Sequence, residues 1–187
     1  MRNKPLRINE IFYSIQGEGF WTGTPMVFVR LSGCNLSCPF CDTDHSRHTL
    51  MTPEDVVDTV LRYPARRVVI TGGEPSLQPL EELVDLLHSH RITVHIETNG
   101  TNPLPDTIDW VTCSPKAGGP VRITRIDELK LVYQGSDMQH YLEEYPSVTR
   151  FYLQPLSGQN IPQTLRYVLD HPEWNLSLQT HKLIDIP

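Results

Sequence analysis

The chain alternates short β-type runs with helical patterns, and this alternation limits the folds it can adopt. Runs rich in β-branched and aromatic residues predict strands at residues 7–13, 26–31, 67–71, 92–98, 108–113, 127–133, 150–153 and 175–179. Helical periodicity is predicted to start after an N-cap at Thr52, and again at residues 79–88, 137–144 and 162–170. Strands that alternate with helices favour a mostly parallel sheet with right-handed crossovers.

Polar clusters follow the carboxyl ends of most predicted strands. These clusters are Thr71-Gly72-Gly73-Glu74-Pro75, Glu97-Thr98-Asn99-Gly100, Cys113-Ser114-Pro115-Lys116, Gln154-Pro155-Leu156 and Gln179-Thr180-His181-Lys182. Parallel sheets and α/β barrels bind ligands at this end of their strands. A complete eightfold barrel takes about 250 residues, whereas this chain has 187. We therefore predict a single domain over residues 1–187, built as a partial, open α/β barrel with mostly parallel strands.

Charge and hydropathy exclude several classes of partner. Lys and Arg number 16 and Asp and Glu number 22, which gives a net charge of −6. An acidic chain argues against general nucleic-acid binding, which needs clustered cations facing phosphates. No apolar run approaches the ~18 residues of a membrane span, and no apolar segment follows the basic start at Arg2 and Lys4. We expect a cytoplasmic protein with no nucleic-acid or membrane partner.

Three of the four cysteines lie within eight residues of one another, at Cys34, Cys38 and Cys41, after the second predicted strand. In a chain without a secretion signal, clustered thiols indicate a metal site in a reducing compartment rather than disulfides. The fourth, Cys113, lies in a predicted strand and is expected to be an inert buried thiol.

Two kinds of metal suit three thiolates on one loop. Structural zinc needs four closed ligands, and His45 or His48 could supply the fourth. A [4Fe–4S] cluster can be held by three cysteines, which leaves one iron open to an exogenous ligand.

The motifs that surround the cysteines carry a family resemblance. The spacing Cys-x3-Cys-x2-Cys, with Phe40 before the last cysteine and Gly72-Gly73-Glu74-Pro75 after the next βα unit, resembles the radical S-adenosylmethionine superfamily. Further stretches resemble the 7-carboxy-7-deazaguanine synthase family over essentially the whole chain. They are Ile15-Gln16-Gly17-Glu18-Gly19, Arg30, Cys41-Asp42-Thr43, Glu97-Thr98-Asn99-Gly100, Ser114-Pro115-Lys116, Gln154-Pro155-Leu156 and residues 179–182. That family often has Trp where this chain has Phe40, so the aromatic character is kept.

The resemblance implies two cofactors at one site. Cys34, Cys38 and Cys41 would hold a [4Fe–4S] cluster, and the open iron would chelate S-adenosylmethionine. The implied contacts to S-adenosylmethionine are Phe40, Cys41, Asp42, Gly73, Ser114, Pro115, Lys116, Gln154, Pro155, Leu156 and Ser157. The chemistry of two of these is direct, because a glycine lets the backbone approach a ligand closely and Lys116 offers a cation to a carboxylate.

The resemblance also implies the substrate and the reaction. The substrate would be 6-carboxy-5,6,7,8-tetrahydropterin, whose radical ring contraction releases ammonia and gives 7-carboxy-7-deazaguanine for queuosine or other deazapurine biosynthesis. The implied substrate contacts are Ile15, Gln16, Gly17, Arg30, Thr71 and the terminal carboxylate of Pro187. Thr43 would bind Mg²⁺, a hard cation that takes oxygen ligands. No protein side chain is implied as the catalyst of this carbon–nitrogen lyase, because the cofactor carries the radical.

Several of these residues have a simpler structural interpretation. Arg30 could be a surface charge at a strand end, and Glu97 could form a structural ion pair rather than contact the cofactor ribose. Lys130 could be either a salt bridge inside the barrel or a ligand. His181 and Lys182 could belong to a solvated tail.

Two other functions compete with the lyase. An activase that installs a glycyl radical on a partner protein shares the small size and the cysteine spacing, but has no need of residues 15–19, Thr43 or a carboxylate-binding Arg30. A zinc-stabilised binding module has no need of the Gly72-Gly73-Glu74-Pro75 turn. For the lyase, the resemblance implies a homodimer and a flavodoxin-type electron donor.

Overall fold

The computed structural model describes residues 4–41, 43–44, 46–116 and 118–187. Its strands are β1 (Leu6–Ile15), β2 (Pro25–Leu31), β3 (Thr49–Met51), β4 (Arg67–Gly72), β5 (Thr93–Thr98), β6 (Trp110–Cys113), β7 (Glu128–Tyr133), β8 (Phe151–Pro155) and β9 (Asn175–Leu176). Its α-helices are α1 (Pro53–Val60), α2 (Glu81–Ser89), α3 (His140–Glu144), α4 (Ile161–Asp170) and α5 (Thr180–Leu183). Short 3-10 turns at Pro75–Leu77 and Leu156–Gly158 follow the ends of β4 and β8.

The strands of the described residues form one mixed sheet in the order β3-β1-β2-β4-β5-β6-β7-β8-β9. β1 runs antiparallel to both β2 and β3, whereas each pairing from β2 through β9 is parallel. In the part of the chain that the structure describes, β3 and β9 stand at opposite edges and do not pair with each other. The predicted open, mostly parallel α/β sheet is therefore confirmed.

The core forms where the helices cover the parallel strands. Strand β4 carries three consecutive buried residues, Val68, Val69 and Ile70, as expected for a parallel strand covered on both faces. Val56 of α1 and Leu83 of α2 join Ile70 in one apolar cluster, so these helices pack onto the sheet. A second cluster, centred on β7 and β8, continues the core toward Trp174.

Helix α1 begins where the sequence predicts. Thr52 and Asp55 form a reciprocal capping box: Asp55 N donates to Thr52 Oγ1 at 3.2 Å, and Thr52 N donates to Asp55 Oδ2 at 3.1 Å. Pro53 follows at the first helical position, where its missing N–H leaves no helical bond unmade. None of the helices in the described residues combines the length and apolar character that a membrane span requires.

Two elements differ from the sequence prediction. β3 has only three residues, too short for a periodic signal, and it is defined by antiparallel pairing with β1, such as Leu6 opposite Met51. The strand predicted at 175–179 ends at Leu176, and α5 begins at Thr180 instead. The reason is that Ser177 and Thr180 bond to the loop that joins β1 to β2: Gly19 N donates to Ser177 Oγ and Thr180 N donates to Gly17 O, each at 2.9 Å.

The start of α3 also shifts. A helix is predicted from residue 137, but α3 begins at His140. Asp137 instead forms a turn, because its Oδ1 accepts Gln139 N at 3.2 Å and the hydroxyl of Tyr167 at 2.8 Å.

Candidate active site

A cavity of about 600 Å³ opens at the carboxyl ends of the parallel strands. Thr71 and Gly72 reach it from β4, Glu97 and Thr98 from β5, and Lys130 from β7. Cavities of this size are typical of small-molecule sites, and this end of the sheet is where a parallel α/β fold places its ligands.

Most of the residues predicted to form the site line this one cavity. They are Ile15, Gln16, Gly17, Arg30, Cys34, Cys38, Phe40, Cys41, Thr43, Thr71, Gly73, Ser114, Lys116, Gln154, Pro155, Leu156, Ser157 and Pro187. Pro115 does not line it, although both of its neighbours do. Asp42 and His45 lie outside the described residues. His48 is exposed and does not line the cavity.

The thiols of the cysteine loop border the cavity. Cys34 and Cys41 are exposed, Cys38 is half-buried, and all three line the cavity. Within residues 4–41, 43–44, 46–116 and 118–187, no three His, Cys, Asp or Glu side chains are gathered closely enough to hold a metal ion. Cys113 is fully buried, and burial raises the pKa of its thiol to about 12, which fits the inert strand thiol predicted for it.

The glycine turn after β4 packs against the cysteine loop through its backbone. Gly73 N donates to Leu31 O at 3.2 Å, and Glu74 N donates to Gly33 O at 2.9 Å. A Cβ added at Gly73 would collide with Gly33 O and would lie 3.0 Å from Cys34 Cβ. Only glycine fits this turn, because the cysteine loop already occupies the place of a side chain.

Three thiols from one short loop at the edge of the cavity are a donor set that fits an iron–sulfur cofactor. The thiols supply soft ligands from one short loop. The backbone of Gly73, without a side chain, lies directly beside Cys34.

Glu74 holds the neighbouring strand end in place. Its side chain is fully buried and accepts Asn99 N at 2.7 Å, Thr98 Oγ1 at 2.8 Å and Ser76 Oγ at 2.6 Å. The carboxylate therefore fastens the turn after β4 to the turn after β5, and both turns border the cavity.

Lys130 sits inside the barrel between two carboxylates. Its Nζ lies 2.6 Å from Glu18 Oε2 and 2.9 Å from Glu97 Oε2, and its side chain is only 6% exposed. Burial alone would lower the pKa of Lys130, but Glu18 and Glu97 raise it above the ordinary value. Burial alone would raise the pKa of Glu18, but Lys130 brings it down to about 2. Burial raises the pKa of Glu97 despite Lys130. Lys130 and Glu97 therefore form the interior ion pair considered from the sequence, and both also line the cavity.

The other carboxylate oxygen of Glu18, Oε1, connects this residue to two further parts of the site. Glu18 Oε1 accepts Gln154 Nε2 at 3.2 Å and Gln179 Nε2 at 2.9 Å. Gln154 lies at the end of β8 and Gln179 directly before α5. Glu18 belongs to the stretch Ile15-Gln16-Gly17-Glu18-Gly19, which carries the family resemblance, but it was not among the predicted contacts. The available signal was a carboxylate inside this glycine-rich stretch.

The loop of residues 16–24, between β1 and β2, reaches β7 and the segment after β9, toward the opposite edge of the sheet. Gln16 N donates to Thr24 O at 2.9 Å and Gly23 N donates to Gln16 O at 2.8 Å, which closes the base of the loop. Phe20 N donates to Glu128 Oε2 at 3.1 Å. A Cβ added at Gly17 would collide with the ring of His181, so the loop and α5 are in close contact.

Lys116 faces the cavity as a half-buried cation. Its Nζ donates to Ser114 O at 2.8 Å and also to the Ser114 hydroxyl. Burial, and then the neighbouring charge of Lys130, lower the pKa of Lys116. A bound anion would favour the charged form of Lys116 and so raise its pKa again.

Arg30 lies on an aromatic wall of the cavity. Its Nε donates to Glu10 Oε1 at 2.7 Å, and its guanidinium lies 5.7 Å from the ring centroid of Phe12. Phe12 in turn stacks on Phe28, with ring centroids 4.9 Å apart. The surface-charge interpretation of Arg30 does not describe this position, because its side chain is 23% exposed and faces the cavity.

The end of the chain closes the cavity beside β1. Ser14 Oγ donates to Pro187 O at 2.8 Å. The half-buried His181 and the exposed Lys182 also line the cavity. Other lining residues outside the predicted set are Asn9, Glu10, Phe12, Phe28, Leu36, Asp44, Gly72, Thr98, Asn99 and Val132. Those on β1 and β2 could not be found from the polar-cluster pattern, since that pattern concerns only strand ends.

Comparisons with known proteins give the same picture. Residues 28–124 match the family model of the Radical SAM superfamily. The 7-carboxy-7-deazaguanine synthase of Bacteroides thetaiotaomicron is 57% identical over 180 residues, covering 96% of this chain and 98% of that protein. The 7-carboxy-7-deazaguanine synthase of Bordetella pertussis is 40% identical, again covering 96% and 98%.

A solved structure agrees in fold. The crystal structure of QueE from Escherichia coli matches with a TM-score of 0.79 and 31% sequence identity, and the match covers 95% of each chain. On these grounds the chain belongs to the 7-carboxy-7-deazaguanine synthase family of the radical SAM superfamily.

Proposed function

We propose that this chain converts 6-carboxy-5,6,7,8-tetrahydropterin to 7-carboxy-7-deazaguanine with loss of ammonia. The observation that carries the proposal is one cavity that collects the cysteine loop, the Gly73 turn, Lys116, Lys130 and Arg30 in a chain of this family. Family membership favours this reaction over a zinc-stabilised binding module, because the radical SAM family model spans the cysteine loop.

The cofactor side of the cavity is assigned to the cysteine loop and the strand ends. Cys34, Cys38 and Cys41 would hold a [4Fe–4S] cluster, which together with S-adenosylmethionine supplies the one-electron chemistry that starts the reaction. Gly73 lines the same cavity, and its backbone would meet the amino acid group of S-adenosylmethionine. Lys116 supplies a cation for a carboxylate, and residues 154–157 border the same space. Phe40 provides an aromatic edge, and Asp42 and Pro115 are further proposed contacts.

The substrate side is assigned to β1, β2 and the end of the chain. Arg30 would bind the pterin carboxylate, and Glu10 orients its guanidinium through Nε. Among the described residues, the hydrogen bond of the Arg30 side chain is made by Nε and not by its two terminal nitrogens. These two nitrogens can therefore donate to both oxygens of the substrate carboxylate. Ile15, Gln16, Gly17, Thr71 and Pro187 would complete the substrate edge.

A divalent cation would link substrate and protein. Thr43 lines the cavity between the cysteine loop and Asp44, and its hydroxyl is an oxygen ligand of the kind that Mg²⁺ takes. The proposal also includes a single-domain chain, a homodimer, a flavodoxin-type electron donor and a cytoplasmic location. The continuous sheet supports the single domain, and the one-electron chemistry of the superfamily supports a reductase partner.

An anaerobic turnover assay tests the reaction. Reconstituted protein is incubated with S-adenosylmethionine, reductant, Mg²⁺ and 6-carboxytetrahydropterin, and the products are identified by mass spectrometry. We expect 7-carboxy-7-deazaguanine, at a rate that falls sharply in Cys38→Ala. Formation of 5′-deoxyadenosine without any deazapurine would contradict the proposed substrate and would favour the glycyl-radical activase instead.

A further inference from the structure

Three polar side chains form a closed hydrogen-bond ring beside the cysteine loop. Asn99 Nδ2 donates to Asn35 Oδ1 at 3.0 Å, and Asn35 Nδ2 donates to Thr101 Oγ1 at 2.8 Å. Thr101 Oγ1 closes the ring by donating to Asn99 Oδ1 at 2.7 Å. Each amide has one definite orientation in this ring, because reversing either one would set donor against donor or acceptor against acceptor.

The ring is anchored in a rigid frame. Asn99 and Thr101 are 7% and 6% exposed, and Asn99 N donates to the fully buried Glu74. Glu74 N in turn donates to Gly33 O at 2.9 Å. The residues on both sides of Cys34, Gly33 and Asn35, are therefore tied to the same two strand ends.

Packing supports the same placement. A Cβ added at Gly73 would lie 3.0 Å from Cys34 Cβ, so this cysteine is already against the glycine turn. Leu36 N lies 3.4 Å from Cys34 Sγ and donates to it. A Cβ at Gly119 would lie 2.9 Å from Thr101 and 3.0 Å from Leu36, which leaves the ring and the loop packed closely on one side.

We propose that Asn35, Asn99 and Thr101 are positioning residues that fix Cys34 beside Gly73 before any cluster is bound. The inference rests on the proposed function only in naming Cys34 as a cluster ligand. Residues that orient a metal ligand through hydrogen bonds tune how firmly the metal is held. The ring thus holds in place the residue next to one of the three thiols.

The test begins with the cluster-free full chain. Thr101→Val removes the hydroxyl that both accepts from Asn35 and donates to Asn99, at nearly constant volume. Hydrogen exchange of peptides covering residues 33–38 is expected to accelerate by about 5- to 150-fold, the range given by the loss of two net hydrogen bonds. Thr101→Ser keeps the hydroxyl and should exchange like the parent.

A remote control separates the ring from general destabilisation. Thr59→Val removes a hydroxyl that donates to Asp55 O within α1, far from the cysteine loop, and should leave exchange of residues 33–38 unchanged. If Thr101→Val does not fold, Asn35→Ala at the exposed member of the ring takes its place. Unchanged exchange in the folded ring variant would overturn the proposal, as would equal acceleration in Thr59→Val.

The second readout uses reconstituted protein. We expect iron loss to a chelator to be about three- to tenfold faster in Thr101→Val than in Thr101→Ser, because the ligand at Cys34 is less firmly placed. Equal rates of iron loss would contradict the proposal. Since exchange in the cluster-free chain needs no substrate, a positive exchange result with no deazapurine product would leave the ring in place and reject only the proposed reaction.

Discussion

At the scale of single residues, the charge at the centre of the site depends on Lys130. This side chain is 6% exposed and contacts Glu18 at 2.6 Å and Glu97 at 2.9 Å. Breaking a buried ion pair by removing one partner leaves the other charge without compensation, which is more costly than never having buried the pair. Two carboxylates share this one ammonium, so its removal leaves both of them without this cation.

Lys130→Met is therefore expected to lower the free energy of unfolding by about 3–5 kcal/mol near neutral pH. Without the cation, burial raises the pKa of Glu18 from about 2, so its protonation at lower pH relieves the strain. The loss should be smaller at about pH 5 than at about pH 8. Urea unfolding at both pH values measures it, and the Lys130→Met/Glu97→Gln double variant serves as control. A loss that is equal at both pH values, or absent, would contradict this account.

For Glu128 we expect the opposite dependence on pH: the Glu128→Gln variant should gain stability relative to the parent as pH rises, whereas Lys130→Met should lose it. Burial raises the pKa of Glu128 to about 7, against an ordinary value of 4.5, even though Lys130 lowers it. Between these two values the folded chain binds more protons than the unfolded chain, so stability is lost as pH rises through this window. Glu128→Gln removes this loss and can still accept from Phe20 N.

The unfolding free energy of Glu128→Gln relative to the parent is expected to increase by on the order of 1–3 kcal/mol between about pH 5 and about pH 8. Denaturant unfolding across that range measures the difference. Glu10→Gln, at an exposed carboxylate, should show no comparable trend. A flat difference between Glu128→Gln and the parent would show that this carboxyl ionises normally in the fold.

At the scale of elements, the loop of residues 16–24 depends on contacts at the opposite edge of the sheet. Ser177 Oγ accepts Gly19 N at 2.9 Å and donates to Gln154 Oε1 at 3.1 Å. Gln154 then turns its amide nitrogen toward Glu18. One buried hydroxyl after β9 therefore fixes both the loop that borders the proposed substrate edge and a residue on the cofactor side.

Ser177→Ala leaves Gly19 N and Gln154 Oε1 without this partner, so the loop edge should be less well placed for substrate. We expect the KM for 6-carboxytetrahydropterin to rise roughly tenfold with a smaller change in kcat, as the loss of a buried hydrogen bond implies. Steady-state kinetics measure the split. Ser89→Ala, which removes an exposed hydroxyl at the end of α2, is the matched control. A fall in kcat with KM unchanged would rule out a role in placing the substrate edge.

Sequence patterns predict the elements that carry their own local signal. The capping residues Thr52, Pro53 and Asp55 fix the start of α1, and the apolar run through Ile70 fixes β4. β3 and α5 carry no such signal, because their positions are set by partners distant in the chain. The same holds within the site, where the glycine turn and the cysteines are motifs but the bonds from Glu18 to Gln154 and Gln179 appear only after folding.

At the scale of the whole molecule, the segments that follow the first and the last strand of the chain meet at the cavity. The loop of residues 16–24 follows the first strand, and α5 follows the last, yet Thr180 N donates to Gly17 O at 2.9 Å. Pro187 O accepts Ser14 Oγ at 2.8 Å. An open sheet leaves its interior exposed along one side, and these contacts between distant parts of the chain cover that side at the cavity.

A peptide tag fused after Pro187 tests this closure. The added chain removes the carboxylate proposed to contact substrate and crowds a residue that lines the cavity beside Ser14. We expect the KM for 6-carboxytetrahydropterin to rise roughly tenfold, the effect of losing one charged contact, while S-adenosylmethionine binding to the reconstituted protein stays close to that of the parent. The same tag fused before Met1 is the control. A C-terminal tag that leaves KM unchanged would remove Pro187 from the substrate contacts, whereas an equal loss of S-adenosylmethionine affinity would mean that the end of the chain supports the whole cavity rather than its substrate edge.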